Sequence, residues 1–142
     1  MQKQALKLLA RLLSRWDETK IERRLGSAPA LKGIFTGVAR SFNPRAAGGF
    51  EGCLVYELTR PATGREAAIW TVEIRAGRAR ARRGACADPA LTLHLRLADF
   101  LRIGTGLLDP AIPILQGRGS FQGSLELAVR LPEMFGAASR RA

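Results

Sequence analysis

With 142 residues, one histidine and two cysteines, the chain is long enough for one domain with a buried core and too short for two. It has no run of about 18 apolar residues, so no segment reads as a membrane-spanning helix. The formal net charge of +11 invites a nucleic-acid reading, yet the aromatics do not interleave with the arginines as a base-stacking platform requires, and specific nucleic-acid binding is not expected.

Residues 2 to 25 read as one amphipathic helix, with Leu6, Leu9, Leu13 and Trp16 on a face widened by Leu8 and Leu12. Lys3, Lys7, Arg11 and Arg15 recur every fourth residue beside that face, and like charges at this spacing repel. Docking of the apolar face on the protein's own core or on a second subunit is the first expectation. Peripheral contact of the basic stripe with an anionic membrane is the second. No small-residue cleavage site follows Leu8 and Leu9, so no secretion signal is read. A cytoplasmic setting is expected, with Cys53 and Cys86 reduced.

Gly26 to Pro29 break the chain. A second helix follows, with Pro29 in its first turn, Leu31, Ile34, Phe35, Val38 and Phe42 at helical spacing, and Asn43-Pro44 as its stop. Ala46 to Gly49 read as a flexible connector. Alternation then predicts strands over Gly52 to Thr59 (Leu54, Tyr56 and Leu58 on one face) and Ala67 to Arg75 (Trp70, Val72 and Ile74 on one face). After a tight Ala76-Gly77 hairpin, Arg78 to Arg83 form a third strand, and Leu91, Leu93, Leu95 and Leu97 mark a fourth. Arg78, Arg80 and Arg82 share one side; the favoured reading is a solvated sheet face where Glu57 and Glu73 pair across strands with them, or an edge strand kept from aggregating by charge, ahead of an anion-binding surface.

Catalytic signals are sparse. His94, the only histidine, falls on the polar side of its strand, and with two separated cysteines no zinc site assembles from the usual spacings. Gly117 to Gly123 lack the spacing and the preceding strand of a dinucleotide fingerprint. Asp88-Pro89 and Asp109-Pro110 read as turn and helix-start signals. No catalytic residue, metal or cofactor is assigned.

The C-terminal half carries the most informative pattern. Asp99 to Pro110, with glycines at 104 and 106, lead into Leu115 to Leu125, with glycines at 117, 119 and 123. Together with Trp70 on a strand and Ala87 to Leu93 before the next, this order resembles the sterol carrier protein 2 (SCP2) lipid-binding family over roughly residues 30 to 136. The resemblance implies an α+β fold: a five-stranded, mostly antiparallel mixed sheet with helices on one face, here with an extra N-terminal helix. The expected layout is an amphipathic basic helix over 1–25, which lies outside the resemblance, the lipid-binding domain over 26–136 and a frayed basic tail over 137–142. The resemblance also implies a helix after Gly123, although Leu125, Leu127, Val129 and Leu131 alternate as a strand would; Ser124 would cap that helix.

Similar proteins bind apolar molecules in a tunnel between the short helices and the sheet. The matching positions here are Phe35, Phe42, Trp70, Phe100, Ile103, Leu107, Ile112, Leu115, Phe121, Leu131 and Phe135, with Gln116 as a polar contact. The expected function is non-catalytic binding, and transfer, of a lipid, sterol or other apolar small molecule. One alternative is a biosynthetic accessory protein or enzyme holding an apolar intermediate, with Asp99, Asp109 or Gln116 as its handle. The other is a membrane or protein interaction module built on the basic N-terminal helix. Leu97-Ala98 and Pro113 depart from the family pattern: the helix before Asp99 has no hydroxyl cap, and the next short helix is interrupted.

Overall fold

The computed structural model describes residues 2–135, with side chains from residue 7 onward. The side chains of Lys3 and Leu6 and the basic tail lie outside the described residues. The predicted N-terminal helix is two helices, α1 (Gln2–Arg15) and α2 (Glu18–Leu25). The break falls where Asp17 turns extended and accepts a hydrogen bond from the Lys20 amide at 2.8 Å. Capping by Asp competes with helix continuation, and a long amphipathic period conceals that competition.

Both helices pack on the common core: Leu13 and Ile21 are completely buried, and Leu9, Trp16 and Leu25 pack around them. Docking of the apolar face is therefore correct. The attachment is also polar. Glu22 is fully buried, and its carboxylate accepts from the Ala62 amide (3.1 Å), the Thr63 amide (2.9 Å) and the Thr63 hydroxyl (2.8 Å). Arg60 donates to the Gly26 carbonyl at 2.7 Å, and Arg102 to the Trp16 carbonyl at 3.3 Å.

Helix α3 (Ala28–Arg40) starts as expected, with Pro29 in its first turn and Ser27 as cap. The supposed flexible connector is instead a single helical turn, α4 (Pro44–Ala47), capped by Asn43 and closed by Gly48 in the left-handed conformation. Strands β1 (Gly52–Arg60), β2 (Arg65–Arg75), β3 (Arg78–Arg83), β4 (Leu91–Arg96) and β5 (Ser120–Gly123) form a mixed sheet in the order β3-β2-β1-β4-β5. Only β1 and β4 run parallel. The remaining helices are α5 (Leu97–Gly104), α6 (Ala111–Leu115) and α7 (Leu125–Met134). This is the α+β architecture that the resemblance implies.

Register explains the apolar face. Tyr56 lies opposite Trp70 on one side and Leu93 on the other, and Leu54 between Val72 and Leu91, so these side chains share the helix-covered surface. The link from β3 to β4 skips two strands and crosses the opposite face. It is held there by Thr71 Oγ1 donating to the Gly84 carbonyl (2.7 Å) and by the Ala90 amide donating to the Cys53 carbonyl (2.9 Å). Beneath it Thr71 and Val55 are buried, and the free thiols of Cys53 and Cys86 are near neighbours.

Arg78, Arg80 and Arg82 do share the exposed side of an edge strand. Their expected cross-strand partners are different, however. Glu73 is opposite Arg80 in register but pairs with Arg75 at 3.3 Å, and Glu57, a strand farther in, faces His94 Nδ1 at 3.6 Å. The segment after Gly123 is a helix: Ser124 caps it through the Leu127 amide at 3.1 Å. The strand-like alternation arises because α7 is apolar on two sides. Leu127 and Met134 enter the core, while Leu125 and Val129 stay exposed.

Replacing Glu22 by Gln leaves an amide that cannot accept from both flanking donors. Glu22→Gln is expected to lower stability by about 1–3 kcal/mol, read as a shift in the urea midpoint. The Cys53 thiol is pushed up from 9.0 to about 11, by burial first and then by the neighbouring Cys86 thiol. The folded state thus holds this proton more tightly than the unfolded chain, so the stability it contributes is complete below pH 9 and is lost toward pH 11. Burial raises Tyr56 from its ordinary 10.0 as well, adding a loss at higher pH. Urea midpoints are expected to fall from about pH 9 upward, and in Cys53→Ala only from about pH 10.

Candidate functional site

The helices on the sheet leave a cavity of about 1030 Å³. Its floor is Tyr56, Leu93, Leu95 and Phe121 of the sheet. One wall is α3, the second is α5 with the segment to α6, and the third is α7. Leu9 and Leu25 close the N-terminal side. Among the described lining residues none is Lys, Arg or His, and the polar ones are Ser41, Tyr56, Thr105, Asp109 and Ser120. A surface of this composition recognises apolar matter by exclusion of water, with little directional chemistry.

Phe35 sets the inner boundary. It is fully buried, stacks on Trp70 (centroids 5.1 Å, planes 4° apart) and on Phe100 (5.3 Å, 15°), and meets the edge of Tyr56 at 5.4 Å. Offset and edge-to-face arrangements of this kind add to simple burial. Beyond Phe35, α3 turns a different strip to the cavity: Ala30, Gly33, Ile34, Gly37, Val38 and Ser41. A methyl group added at Gly33 or Gly37 would meet nothing within 4 Å. Glycine inside a helix costs up to about 1 kcal/mol against alanine, and here its effect is open space.

Of the residues matched through the resemblance, Phe100, Ile103, Phe121, Leu131 and Phe135 line the cavity. Phe35 and Trp70 do not, because they fill the core beneath it. Phe42 lies just past α3 and packs on Phe135 at 5.4 Å. Leu107 and Ile112 are exposed, and Leu115 is 81% exposed. The short α6 buries Pro113 and turns Ala111 and Ile114 to the cavity, which leaves Ile112 and Leu115 on its outer side. Gln116 is also outside: Arg118 Nη1 donates to its Oε1. The same guanidinium grips buried Asp99 through Nε–Oδ2 at 3.1 Å and Nη2–Oδ1 at 3.4 Å, tying α5 to the turn before β5.

Sequence reasoning missed Tyr56, read only as a core residue, and the Gly33–Gly37 strip. The available signal for the strip was two glycines four apart inside an otherwise strong helix, a spacing that places both on one face. Ile114, Leu125 and Val129 line the cavity and are at the same time exposed, so the cavity opens between α6 and α7 through an apolar rim. Among the described residues no group of His, Cys, Asp or Glu could hold a metal.

Residues 39–136 match the model of the SCP-2 sterol transfer family. A search of curated protein sequences returns no match. Among solved structures, apo sterol carrier protein 2 from Yarrowia lipolytica is similar at TM-score 0.57 and 13% identity, over 73% of this chain and 91% of that one. Palmitated SCP2L2 from Aedes aegypti is similar at TM-score 0.53 and 22% identity, over 69% and 86%. The stereoselective inverting sec-alkylsulfatase from Pseudomonas sp. reaches TM-score 0.60 at 18% identity over 77% of this chain, which spans only 17% of the sulfatase's length. At these identities the likenesses show the fold.

Filling the α3 strip tests the cavity. Gly37→Leu is expected to fold with unchanged or higher thermal stability. It should weaken uptake of an apolar dye about tenfold, as the side chain displaces roughly two ligand methylenes at about 0.8 kcal/mol each.

Proposed function

This chain belongs to the SCP-2 sterol transfer family, and from that premise we propose that it binds one apolar or weakly polar lipid-like molecule in the cavity, non-covalently, and releases it through the rim between α6 and α7. Sterol and lipid binding and transfer are the activities of the family. The observation that carries the reading for this chain is the cavity of about 1030 Å³ with a nearly uncharged lining. Phe100, Ile103, Phe121, Leu131 and Phe135 are the side chains that contact the ligand.

The energetics suit a carrier. A chain of about 14 methylenes contributes roughly 11 kcal/mol gross. Ordering the ligand removes several kcal/mol of that, leaving micromolar to high-nanomolar affinity. A pocket without directional contacts discriminates weakly by length, so a mixed cargo is the physical expectation. The enzymatic alternative has little to work with, since Asp99 and Gln116 are both engaged by Arg118 and Asp109 is the one carboxylate among the described lining residues.

Contact with an anionic membrane is the second reading. Lys7, Arg11 and Arg15 are exposed along α1, and Leu8 between them is 59% exposed, while neighbouring Leu9 lines the cavity. This arrangement places charge and one inserting side chain close to the ligand.

Native mass spectrometry before and after organic extraction tests the carrier. A heterogeneous set of bound lipids is expected, and a protein that is empty and also refuses fluorescent fatty acid and sterol would overturn it. For the membrane reading, co-sedimentation with phosphatidylglycerol vesicles is expected to exceed that with phosphatidylcholine vesicles and to fall with salt. Arg11→Glu should weaken the binding severalfold; equal binding to both vesicle types would exclude an electrostatic contact.

A further inference from the structure

Tyr56 stands at the centre of the cavity floor, on β1 between Trp70 and Leu93, and is 5% exposed. Its ring is fixed by edge contacts to Phe35 at 5.4 Å and Phe100 at 5.4 Å. Its hydroxyl makes no hydrogen bond to any described residue. Yet no side-chain nitrogen or oxygen sealed from solvent-sized space lacks a partner among the described residues. The Tyr56 hydroxyl therefore opens onto the cavity that its ring lines. A buried phenol seldom goes without a partner, because the unmade bond costs more than a made one gains.

The other polar lining groups differ. Thr105 Oγ1 donates to the Leu101 carbonyl at 2.9 Å, Ser41 Oγ donates to the Val38 carbonyl at 2.7 Å, and Asp109 and Ser120 are exposed. Tyr56 is thus the one buried polar handle among the described lining residues, set in an apolar surround with no cation beside it.

We propose that Tyr56 Oη is the anchor for the ligand's polar end and that it selects an uncharged hydroxyl or carbonyl over a carboxylate. The inference rests on the carrier reading above and adds to it an orientation and a ligand class: a long-chain alcohol, or its carbonyl counterpart, bound polar end inward. The phenol is both donor and acceptor and so satisfies either group. A carboxylate brought to the same depth would lose its hydration with no cation in compensation, and it stays at the rim with its chain inward. Burial raises the Tyr56 pKa, so the phenol remains protonated throughout the physiological range.

The test uses the whole chain, emptied by organic extraction, with the hydrocarbon dye diphenylhexatriene as reporter and hexadecan-1-ol, hexadecanoic acid and hexadecane as competitors. Tyr56→Phe keeps the ring and leaves no protein group unpaired. It is expected to weaken hexadecan-1-ol about fivefold, the worth of one neutral hydrogen bond, with the dye and hexadecanoic acid changed by less than about twofold. In the unmutated protein the alcohol should outcompete hexadecane by a similar factor. An alcohol affinity that survives Tyr56→Phe while the dye still binds would overturn the anchor, as would equal binding of alcohol and hexadecane. A loss of hexadecanoic acid as large as that of the alcohol would overturn the preference for an uncharged group. Failure of the dye to bind either protein would bring down the carrier reading itself, and the anchor with it.

Discussion

One buried aromatic ring governs how far the helical layer stands from the sheet. Phe35 joins α3 to β1, β2 and α5 by stacking on Trp70 and Phe100 and meeting Tyr56 edge-on. Aromatic faces in contact fix separation and orientation together, which aliphatic packing does less well. With α3 held at that distance, its glycine strip is too small to fill the space toward α5 and α7. The cavity follows from a large residue and small ones on neighbouring faces of the same helix.

Part of the positive charge, which on composition alone suggests a polyanion partner, is used inside the molecule. Arg60, Arg102 and Arg130 donate to main-chain carbonyls of distant segments, at Gly26, Trp16 and Ala46. Arg96 pairs with Glu18 at 3.4 Å and Arg118 with Asp99. The planar guanidinium suits such bridging, because it reaches far and satisfies several acceptors from one group. Removing either buried carboxylate, Glu22 or Asp99, would strand donors arranged around it. Among the cations that stay exposed are the β3 comb, whose charge guards an unpaired strand edge, and the α1 stripe, with Lys20, Arg23, Arg24, Lys32, Arg40, Arg45, Arg65 and Arg75 spread over the rest of the surface.

Ligand traffic has an identifiable route. The rim at Ile114, Leu125 and Val129 is apolar and exposed, α6 is a single short turn, and glycines bracket the segments on both sides of it. Elements this short owe their order to what they cover rather than to their own hydrogen bonds. They are the parts of the structure that can yield while the Phe35 cluster and the sheet stay in place.

Periodicity by itself determined the strands and their faces. Leu54, Tyr56 and Leu58, then Trp70, Val72 and Ile74, form one apolar surface because a two-residue repeat allows no other arrangement. It also determined α3 and the inward docking of α1. The order of glycine-punctuated segments identified the family and settled that α7 is a helix where alternation pointed to a strand. Sequence could not divide the apolar residues between core and cavity. Phe35 and Phe100 are the same residue type at helical positions, and only the tertiary arrangement places one beneath the cavity and the other along it. Nor could it foresee that Leu115 would face out or that Gln116 would be taken by Arg118, since both depend on the rotation of a five-residue helix set by the burial of Pro113. Tyr56 shows the same limit: its position in the strand was plain, but that its hydroxyl looks into open space is a property of what the neighbouring helices leave unfilled.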